Sequence, residues 1–205
     1  DNAPGMLQIL RDRCSERGLD NVATVVADGA SLASLSDFDF AVSNFGVIFF
    51  SDVLAGLVAM HQALRPGGQV AISAWGTAAE TPAFTVIPTA SRELCANDVA
   101  GTCAAGTGRA EGSPELLSGL LENAGFEAVE VTGPHAHNLV VDSPEAYWDR
   151  FELAAPGTQK LLSSLGPEKA KAVQAKVLSE LHAQFGDGPV VLPAAAYFAL
   201  GRKPA

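Results

Sequence analysis

Two apolar, strand-like segments separated by one helix-length segment constrain the fold of this chain most strongly. The first is Phe38–Ser43, which leads into Asn44-Phe45-Gly46, and the second is Gln69–Trp75. Between them, Asp52 or Ser51 can cap a helix that runs through Leu64, with Val53, Leu54, Leu57, Val58 and Leu64 on its inner face. Pro66-Gly67-Gly68 then ends that helix. Apolar strands that alternate with helices are typical of a parallel sheet covered on both faces, so an α/β fold is predicted.

The rest of the chain continues this alternation. The patterns of apolar residues, caps and glycines predict further elements at these positions: a helix from Pro4 to Arg17, a buried strand Val22–Ala27 ending at Asp28-Gly29, helical character over Phe84–Asn97, a loop at Gly101–Gly112, a helix opened by Ser113-Pro114-Glu115, a strand Phe126–Thr132 that extends towards Val141, helices Pro144–Leu153 and Pro167–Phe185, and a last strand Ala194–Gly201.

Composition narrows the class of protein. The 205 residues are 48% apolar and 18% charged, with a net charge of −10. The acidic balance argues against a partner with a phosphate backbone, so nucleic acid is not expected. No apolar run reaches the ~18 residues that a membrane span needs, so no membrane partner is expected either.

The cysteines and histidines carry little functional signal. Cys14, Cys95 and Cys103 are widely spaced and odd in number, which favours a reduced, cytoplasmic protein, although Cys95 and Cys103 could approach each other. His135 and His137 lack a third ligand, so no metal site is predicted. His61 is expected to be solvated.

Candidate ligand contacts fall at the ends of the predicted strands. These ends are Asp28-Gly29, Asn44-Phe45-Gly46 and Ala74-Trp75-Gly76. In an open parallel sheet, ligands bind in the crevice beyond the carboxyl ends of the strands. Each end combines a polar or aromatic side chain with a glycine, which lets backbone approach a ligand closely. A binding site at this edge is therefore predicted.

Together these segments resemble the class I S-adenosylmethionine-dependent methyltransferases, and within them the small-molecule group that includes ubiquinone and menaquinone C-methyltransferases. The resemblance covers almost the whole chain. It rests on the following stretches in this order: Asp1-Asn2-Ala3-Pro4-Gly5-Met6-Leu7, Asp28-Gly29, Phe38–Asn44, Leu64-Arg65-Pro66-Gly67-Gly68, Leu121–Phe126 and Ala196–Arg202. It implies a Rossmann-like, mostly parallel sheet with an antiparallel last strand and S-adenosylmethionine as cofactor.

The resemblance also implies roles for residues in the first part of the chain. Asp1 would accept hydrogen bonds from the ribose hydroxyls of the cofactor, or else be a solvated terminal residue. Asp28 would accept from the adenine amino group, with the Gly29 backbone nearby, or else form a turn or cap a helix. A carboxylate suits both tasks because it only accepts hydrogen bonds.

A second group of residues would border the reacting end of the cofactor. Asn44, Phe45 and Gly46 would lie beside its methionine part, where the Phe45 ring could stabilise the sulfonium cation or simply pack in the core. Phe49 and Trp75 are candidates for the substrate pocket. No catalytic residue is identified, and Asp52 and His135 are the candidates for a general base.

The resemblance further implies that part of the fold lies outside this sequence. The glycine-rich loop of the family should precede Asp1, and strands one and two of its sheet lie between strands three and four. Val22–Ala27 would then lack neighbours, and each unpaired buried backbone group costs ~1–3 kcal/mol. We therefore expect an N-terminally incomplete domain. The chain is then part of a longer protein, which is the favoured alternative, or another chain completes the sheet, or the remaining strands are rearranged, for example by exchange between the copies of a homodimer.

The predicted function is methyl transfer from S-adenosylmethionine to a small-molecule nucleophile. The alternatives are a non-catalytic methyltransferase-like binding domain, or half of a split enzyme, and a nicotinamide-dependent oxidoreductase. One domain is expected over residues 1–205, with its sheet core in 1–76, 113–141 and 191–205. Residues 77–112 and 142–190 would cover the substrate side.

Overall fold

A computed structural model describes residues 1–31, 35–95 and 112–205 of the chain, and all structural statements concern these ranges. The strands are β1 Phe38–Asn44, β2 Leu64–Trp75, β3 Glu127–His135, β4 Asn138–Val141, β5 Val190–Pro193 and β6 Ala196–Arg202. The helices are α1 Pro4–Glu16, α2 Val53–Ala63, α3 Val86–Cys95, α4 Pro114–Asn123, α5 Pro144–Ala154, α6 Pro156–Leu165 and α7 Pro167–Phe185. Short 3₁₀ turns occur at Val47–Phe49 and Pro82–Phe84.

These elements form two compact units. The first contains Asp1–Ser73, Pro114–Val131 and Phe198–Ala205, and the second contains Ala74–Ser113 and Thr132–Tyr197.

The sheet of the first unit confirms the predicted α/β class. Its strand order is β1-β2-β6-β3. β1 and β2 are parallel, with Asn44 opposite Ser73 at their carboxyl ends. β6 runs antiparallel to β2, because Gly67 donates to the Lys203 carbonyl and Lys203 donates to that of Gly68. A mostly parallel sheet with an antiparallel last strand is therefore present, as the resemblance implied.

The predicted Pro-Gly-Gly turn lies within the first residues of β2. Pairing with β1 shifts there, since Phe38 lies opposite Leu64 whereas Phe40 lies opposite Gln69. The Lys203 ammonium closes this turn by donating to the Leu64 carbonyl oxygen at 2.6 Å. The turn thus separates α2 from the regular part of β2.

Helix α2 begins as predicted, but its buried face differs from the prediction. Asp52 is the N-cap, and its carboxylate accepts from the Ala55 N–H at 2.9 Å. Leu57 and Leu64 are buried as predicted, whereas Leu54 is exposed. The other buried residues of the helix are Gly56, Ala59, Met60 and Ala63. The ring of Phe50 explains the shift, because it packs where a Gly56 side chain would otherwise lie. The small residues allow closer packing than the larger apolar ones predicted for this face.

The expectation that His61 is solvated is wrong. Its Nε2 atom is shielded from solvent and has no hydrogen-bond partner among the described residues. The imidazole packs edge-to-face on Phe126, with ring centroids 4.9 Å apart. Burial, followed by the Lys203 charge, lowers its pKa, and a contact with the Gly125 backbone opposes this only in part.

The predicted strand Val22–Ala27 is also wrong, because this segment is not assigned to any strand. Its valines are largely exposed, with Val26 at 57%. A β-strand needs a neighbour for its backbone hydrogen bonds. Among the described residues only Asp1 supplies such a partner here, through bonds to Val25 and Ala27.

The second unit is mainly helical. Tyr147, Trp148, Val173, Val177 and Leu181 are buried at its centre. Helices α5 and α7 occur where they were predicted, and α3 forms Val86–Cys95 of the predicted Phe84–Asn97, after a 3₁₀ turn that ends at Phe84. Helix α6 was not predicted. The predicted extension of β3 ends before β4, which pairs antiparallel with β5 instead.

Two further findings bear on the sequence expectations. No helix among residues 1–31, 35–95 and 112–205 combines the length and apolar character needed to cross a membrane. Cys14 is free, whereas Cys95 is disulfide-bonded, so the expectation of reduced cysteines is wrong for Cys95. Most of the predicted loop Gly101–Gly112 lies outside the described residues.

Candidate functional site

A cavity of about 540 Å³ lies in the first unit, along β1 and past its carboxyl end. The residues that line it include four of the predicted cofactor residues, Asp1, Asp28, Gly29 and Gly46, and the predicted substrate residue Phe49. The other lining residues are Asn2, Ala27, Leu35, Phe38, Phe40, Ala41, Val42, Ser43, Phe50, Met60 and Ala63. The structure therefore brings residues that are far apart in sequence to one concave surface.

Two carboxylates form the polar wall of the cavity. Asp1 accepts from the Ala3 N–H at 2.8 Å, and Asp28 accepts from the Ala30 N–H at 2.9 Å, each through Oδ1. The main chain of Asp1 is hydrogen-bonded to Val25 and Ala27, so Asp1 lies beside the segment that leads into Asp28. Asp28 is thus a turn-forming residue, as one of the two interpretations held. The second oxygen of each carboxylate makes no hydrogen bond within the described chain and is available to a ligand.

Gly29 has a packing role that the sequence did not indicate. A Cβ atom on Gly29 would lie 2.2 Å from the nearest atom of the Phe50 ring. A side chain there would displace this ring, which also packs against Gly56. The close approach that requires a glycine is therefore to Phe50.

The turn Asn44-Phe45-Gly46 follows β1 and has an unusual backbone. Phe45 has φ 54°, a left-handed conformation that costs a residue with a side chain roughly 1–3 kcal/mol. Its N–H donates to Ser73 Oγ at 2.9 Å, and Ser73 Oγ in turn donates to Asn44 Oδ1 at 2.9 Å. Asn44 and Phe45 are not among the residues that line the cavity, whereas the neighbouring Ser43 and Gly46 are.

Two serines that the sequence analysis did not single out support this turn. Ser73 is only 3% exposed and lies opposite Asn44 in the β1–β2 register. Ser43 Oγ accepts from the Val47 N–H at 3.0 Å, and a Cβ atom on Gly46 would lie 2.8 Å from that oxygen. The alignment of the strand ends could have indicated Ser73, because parallel neighbours place their last residues side by side.

The predicted substrate residues lie in different units. Phe49 is 73% exposed at the cavity of the first unit. Trp75 belongs to the second unit, where its ring lies 4.7 Å from that of Phe84. Phe84 in turn lies 6.0 Å from Phe151. Trp75 therefore belongs to a partly buried aromatic cluster within the second unit.

The general-base candidates have local roles. The Asp52 carboxylate caps α2, as described above. His135 lies in the second unit, with its Nε2 atom 3.2 Å from Thr132 Oγ1. Within the described ranges, no group of three or more histidine, cysteine, aspartate or glutamate side chains could hold a metal ion.

Comparison with known proteins shows what the segment that carries this site is similar to. Residues 1–68 match the family model of a methyltransferase domain. This segment contains α1, β1, α2 and all of the cavity-lining residues.

Two relatives extend the similarity. The chain is 26% identical over 140 residues to a demethylmenaquinone methyltransferase of Bacteroides fragilis, which covers 63% of this chain and 57% of the relative. It is 33% identical over 74 residues to the aklanonic acid methyltransferase DauC of Streptomyces, which covers 36% of this chain and 34% of that protein. The chain thus spans about half the length, or less, of these curated relatives.

Solved structures share the fold. The YcgJ protein of Bacillus subtilis superimposes with a TM-score of 0.61 at 16% identity, over 100% of this chain and 81% of that one. The sheet order and the cavity beside β1 define a Rossmann-like α/β domain. In the matched segment, in these relatives and in its fold, the chain is similar to S-adenosylmethionine-dependent methyltransferases.

Proposed function

We propose that this chain carries out methyl transfer from S-adenosylmethionine to a small-molecule nucleophile, as part of the protein to which it belongs. The observation that carries the proposal is the cavity beside β1, where two carboxylates face apolar and aromatic side chains within a fold of this family.

The residues present fit the cofactor. A volume of about 540 Å³ is within the ~300–1,000 Å³ of typical ligand pockets. The adenosine part of the cofactor offers two vicinal hydroxyls and an exocyclic amine as donors. The unbonded oxygens of Asp1 and Asp28 are acceptors, so Asp1 would hold the ribose and Asp28 the adenine amine. Phe38 and Phe40 supply the apolar surface that a purine ring needs.

The turn after β1 would hold the other end of the cofactor. When bound, S-adenosylmethionine supplies an electrophilic methyl group on a sulfonium centre. Asn44, Phe45 and Gly46 would fix the methionine part, and the Phe45 ring would stabilise the adjacent positive charge. The chain's contribution to the rate would be alignment of the methyl group with the acceptor, since correct orientation alone lowers a barrier by ~7–11 kcal/mol in favourable cases.

The acceptor is proposed to be a small molecule rather than a nucleic acid. The net charge of −10 disfavours a phosphate backbone. The two relatives are named for small organic acceptors, aklanonic acid and demethylmenaquinone. We propose that Phe49 contacts the acceptor at the cavity of the first unit. Trp75, in the second unit, is proposed separately as a substrate contact. We also propose that the enzyme is cytoplasmic and forms a homodimer.

The test is calorimetric titration of the 205-residue chain with S-adenosylhomocysteine, the product form of the cofactor. We expect saturable binding that the substitution Asp28→Ala weakens by about tenfold, as loss of one charge-assisted hydrogen bond predicts. Asp20→Ala is the matched control, because Asp20 is exposed and does not line the cavity.

Three outcomes are informative. Equal affinity of wild type and Asp28→Ala would refute the role of Asp28. No binding by the wild-type chain would refute cofactor binding by this chain alone. Binding without methyl transfer to any of a panel of phenols, quinols and amines would favour the non-catalytic or split-enzyme alternative.

A further inference from the structure

We infer that Ser73 is a positioning residue that orients the Asn44 side chain, so that Asn44 presents two N–H donors to the carboxylate of the cofactor's amino-acid group. The inference rests on the proposed function, since it names the part of the cofactor that this side chain recognises.

The directions of the hydrogen bonds follow from the chemistry of the groups. The Phe45 N–H can only donate, so Ser73 Oγ accepts at that contact of 2.9 Å. The single hydroxyl proton of Ser73 is then free to point to Asn44 Oδ1, which is also 2.9 Å away and can only accept. Ser73 therefore acts as acceptor and donor at once.

This arrangement fixes the amide of Asn44. A flipped amide could donate to the second lone pair of Ser73 Oγ, but the hydroxyl proton of this buried serine would then lose its acceptor, so the orientation with Oδ1 towards Ser73 is favoured. With Oδ1 held towards Ser73, Nδ2 points away from it and makes no hydrogen bond within the described chain. Asn44 is exposed at the carboxyl end of β1, so both Nδ2 protons are available to a ligand.

The same serine stabilises the backbone next to Asn44. Phe45 adopts φ 54°, which is unfavourable for a residue with a side chain. Its N–H bond to the buried Ser73 side chain, 3% exposed, keeps this conformation in place. Ser73 thus fixes both the main chain and the one side-chain amide at the end of β1.

An amide NH₂ group can donate to any acceptor, but its bonds are strongest to an anionic one. The neutral adenosine part of the cofactor has no anion, whereas its amino-acid part carries a carboxylate. A carboxylate accepts two N–H bonds well, and such charge-assisted bonds are stronger than neutral ones. Asn44 should therefore contribute to binding of ligands that have the amino-acid group and not to binding of those that lack it.

The experiment compares two ligands by calorimetry. S-adenosylhomocysteine has the amino-acid group, and 5′-methylthioadenosine has the same adenosine and thioether without it. In Ser73→Ala we expect affinity for S-adenosylhomocysteine to fall about fivefold to tenfold, with affinity for 5′-methylthioadenosine unchanged. Ser118→Ala is the control, because the Ser118 hydroxyl bonds only to the Glu122 carboxylate on the surface of α4.

Two further variants keep the test decisive. The measured quantity is the ratio of the affinity for S-adenosylhomocysteine to the affinity for 5′-methylthioadenosine. Asn44→Asp replaces the Nδ2 donors with an oxygen at an exposed position, and should lower this ratio at least as much as Ser73→Ala. Ser73→Thr keeps a hydroxyl on the same carbon and should restore the wild-type ratio. A ratio unchanged in both Ser73→Ala and Asn44→Asp overturns the inference, whereas failure of the wild type to bind either ligand overturns the proposed function as well.

Hydrogen exchange gives a readout that does not depend on a ligand. In the wild type the Phe45 amide should be protected, and in Ser73→Ala its exchange should be at least about tenfold faster. Unchanged exchange of this amide would show that Ser73 does not hold the turn and would overturn the inference by itself.

Discussion

Asp1 and Val26 lie side by side in the geometry of a parallel β-bridge. The Asp1 ammonium donates to the Val25 carbonyl oxygen at 3.3 Å, and the Ala27 N–H donates to the Asp1 carbonyl oxygen at 3.0 Å. These two bonds are the pattern by which one residue of a parallel strand joins its neighbour. The segment before Asp28 is thus extended and paired at a single residue.

Hydrogen exchange should reveal this single pairing. We expect the Val25 and Val26 amides to exchange almost without protection, because nothing in the described chain accepts from them. The Ala27 amide should exchange more slowly, and Val70 and Ile72 in the central strand β2 more slowly still. Strong protection of the Val25 and Val26 amides would contradict pairing at a single residue. If that protection were lost on dilution of the protein, another copy of the chain would be the pairing partner.

The comparison between Val22–Ala27 and β1 shows what a sequence can predict. Both are short apolar runs, but only Phe38–Asn44 has a neighbouring strand, β2, within the described chain. Strand identity depends on a partner that is distant in sequence, which local periodicity does not show. Helix α2 was easier to predict, because its Asp52 cap is a local signal.

The candidate site divides in the same way. Asp28 and Gly46 were predicted from the ends of strand-like segments and Asp1 from the family resemblance, and the structure brings all three to one cavity. The support from Ser73 has no local sequence signal and could be anticipated only by aligning the ends of β1 and β2, because it depends on the register between the two strands. The need for a glycine at position 29 likewise depends on its contact with the Phe50 ring, which becomes known only from the three-dimensional structure.

Tyr197 and Glu80 form a charge-assisted hydrogen bond within the second unit. The Tyr197 hydroxyl donates to Glu80 Oε1 at 2.7 Å, and Thr77 donates to the other carboxylate oxygen through its N–H and hydroxyl groups. These donors, Tyr197 first, lower the pKa of Glu80. Tyr197→Phe should lower the free energy of unfolding at neutral pH by about 1.5–3 kcal/mol, as measured by denaturant titration.

The pH dependence of this effect separates it from a simple packing loss. Because the pKa of Glu80 is lowered in the folded state, the stabilisation is present above the unfolded pKa and is lost as pH falls through the folded one. Tyr147→Phe is the matched control, since the buried Tyr147 hydroxyl donates to the uncharged Ala83 carbonyl at 2.8 Å. Tyr147→Phe should lower the free energy of unfolding by the same amount at acidic and neutral pH. If the effects of Tyr197→Phe and Tyr147→Phe depended on pH in the same way, the role of Glu80 would be refuted.

His182 links the start of α5 to the end of α7 in the second unit. Its Nε2 lies 2.8 Å from the Glu145 carboxylate and its Nδ1 lies 3.1 Å from that of Asp187. The bond to Glu145, chiefly, raises the pKa of His182. The stabilisation is therefore present below the unfolded pKa and is lost as pH rises through the folded one.

The variant His182→Gln tests this link. Its thermal midpoint should fall furthest below that of the wild type at about pH 6, and the difference should shrink towards about pH 9. Glu180→Gln is the control, because the ion pair of Glu180 with Lys176 involves no group that titrates between these values. A difference that does not change with pH would mean that protonation of His182 does not matter.

His61 should have the opposite pH dependence. Burial lowers its pKa, so the folded state holds the neutral form and binds fewer protons than the unfolded state. Stability should therefore decrease as pH falls below the unfolded pKa of about 6.5.

The variant His61→Phe tests this dependence. The shielded Nε2 atom of His61 makes no hydrogen bond in the described chain, whereas a phenyl ring there would need none. His61→Phe keeps the edge-to-face contact with Phe126, and should raise the free energy of unfolding by about 1 kcal/mol at neutral pH and by more at about pH 5. Denaturant titration of both proteins at the two pH values measures this gap, and a gap that stays constant or narrows on acidification would show that the imidazole is solvated.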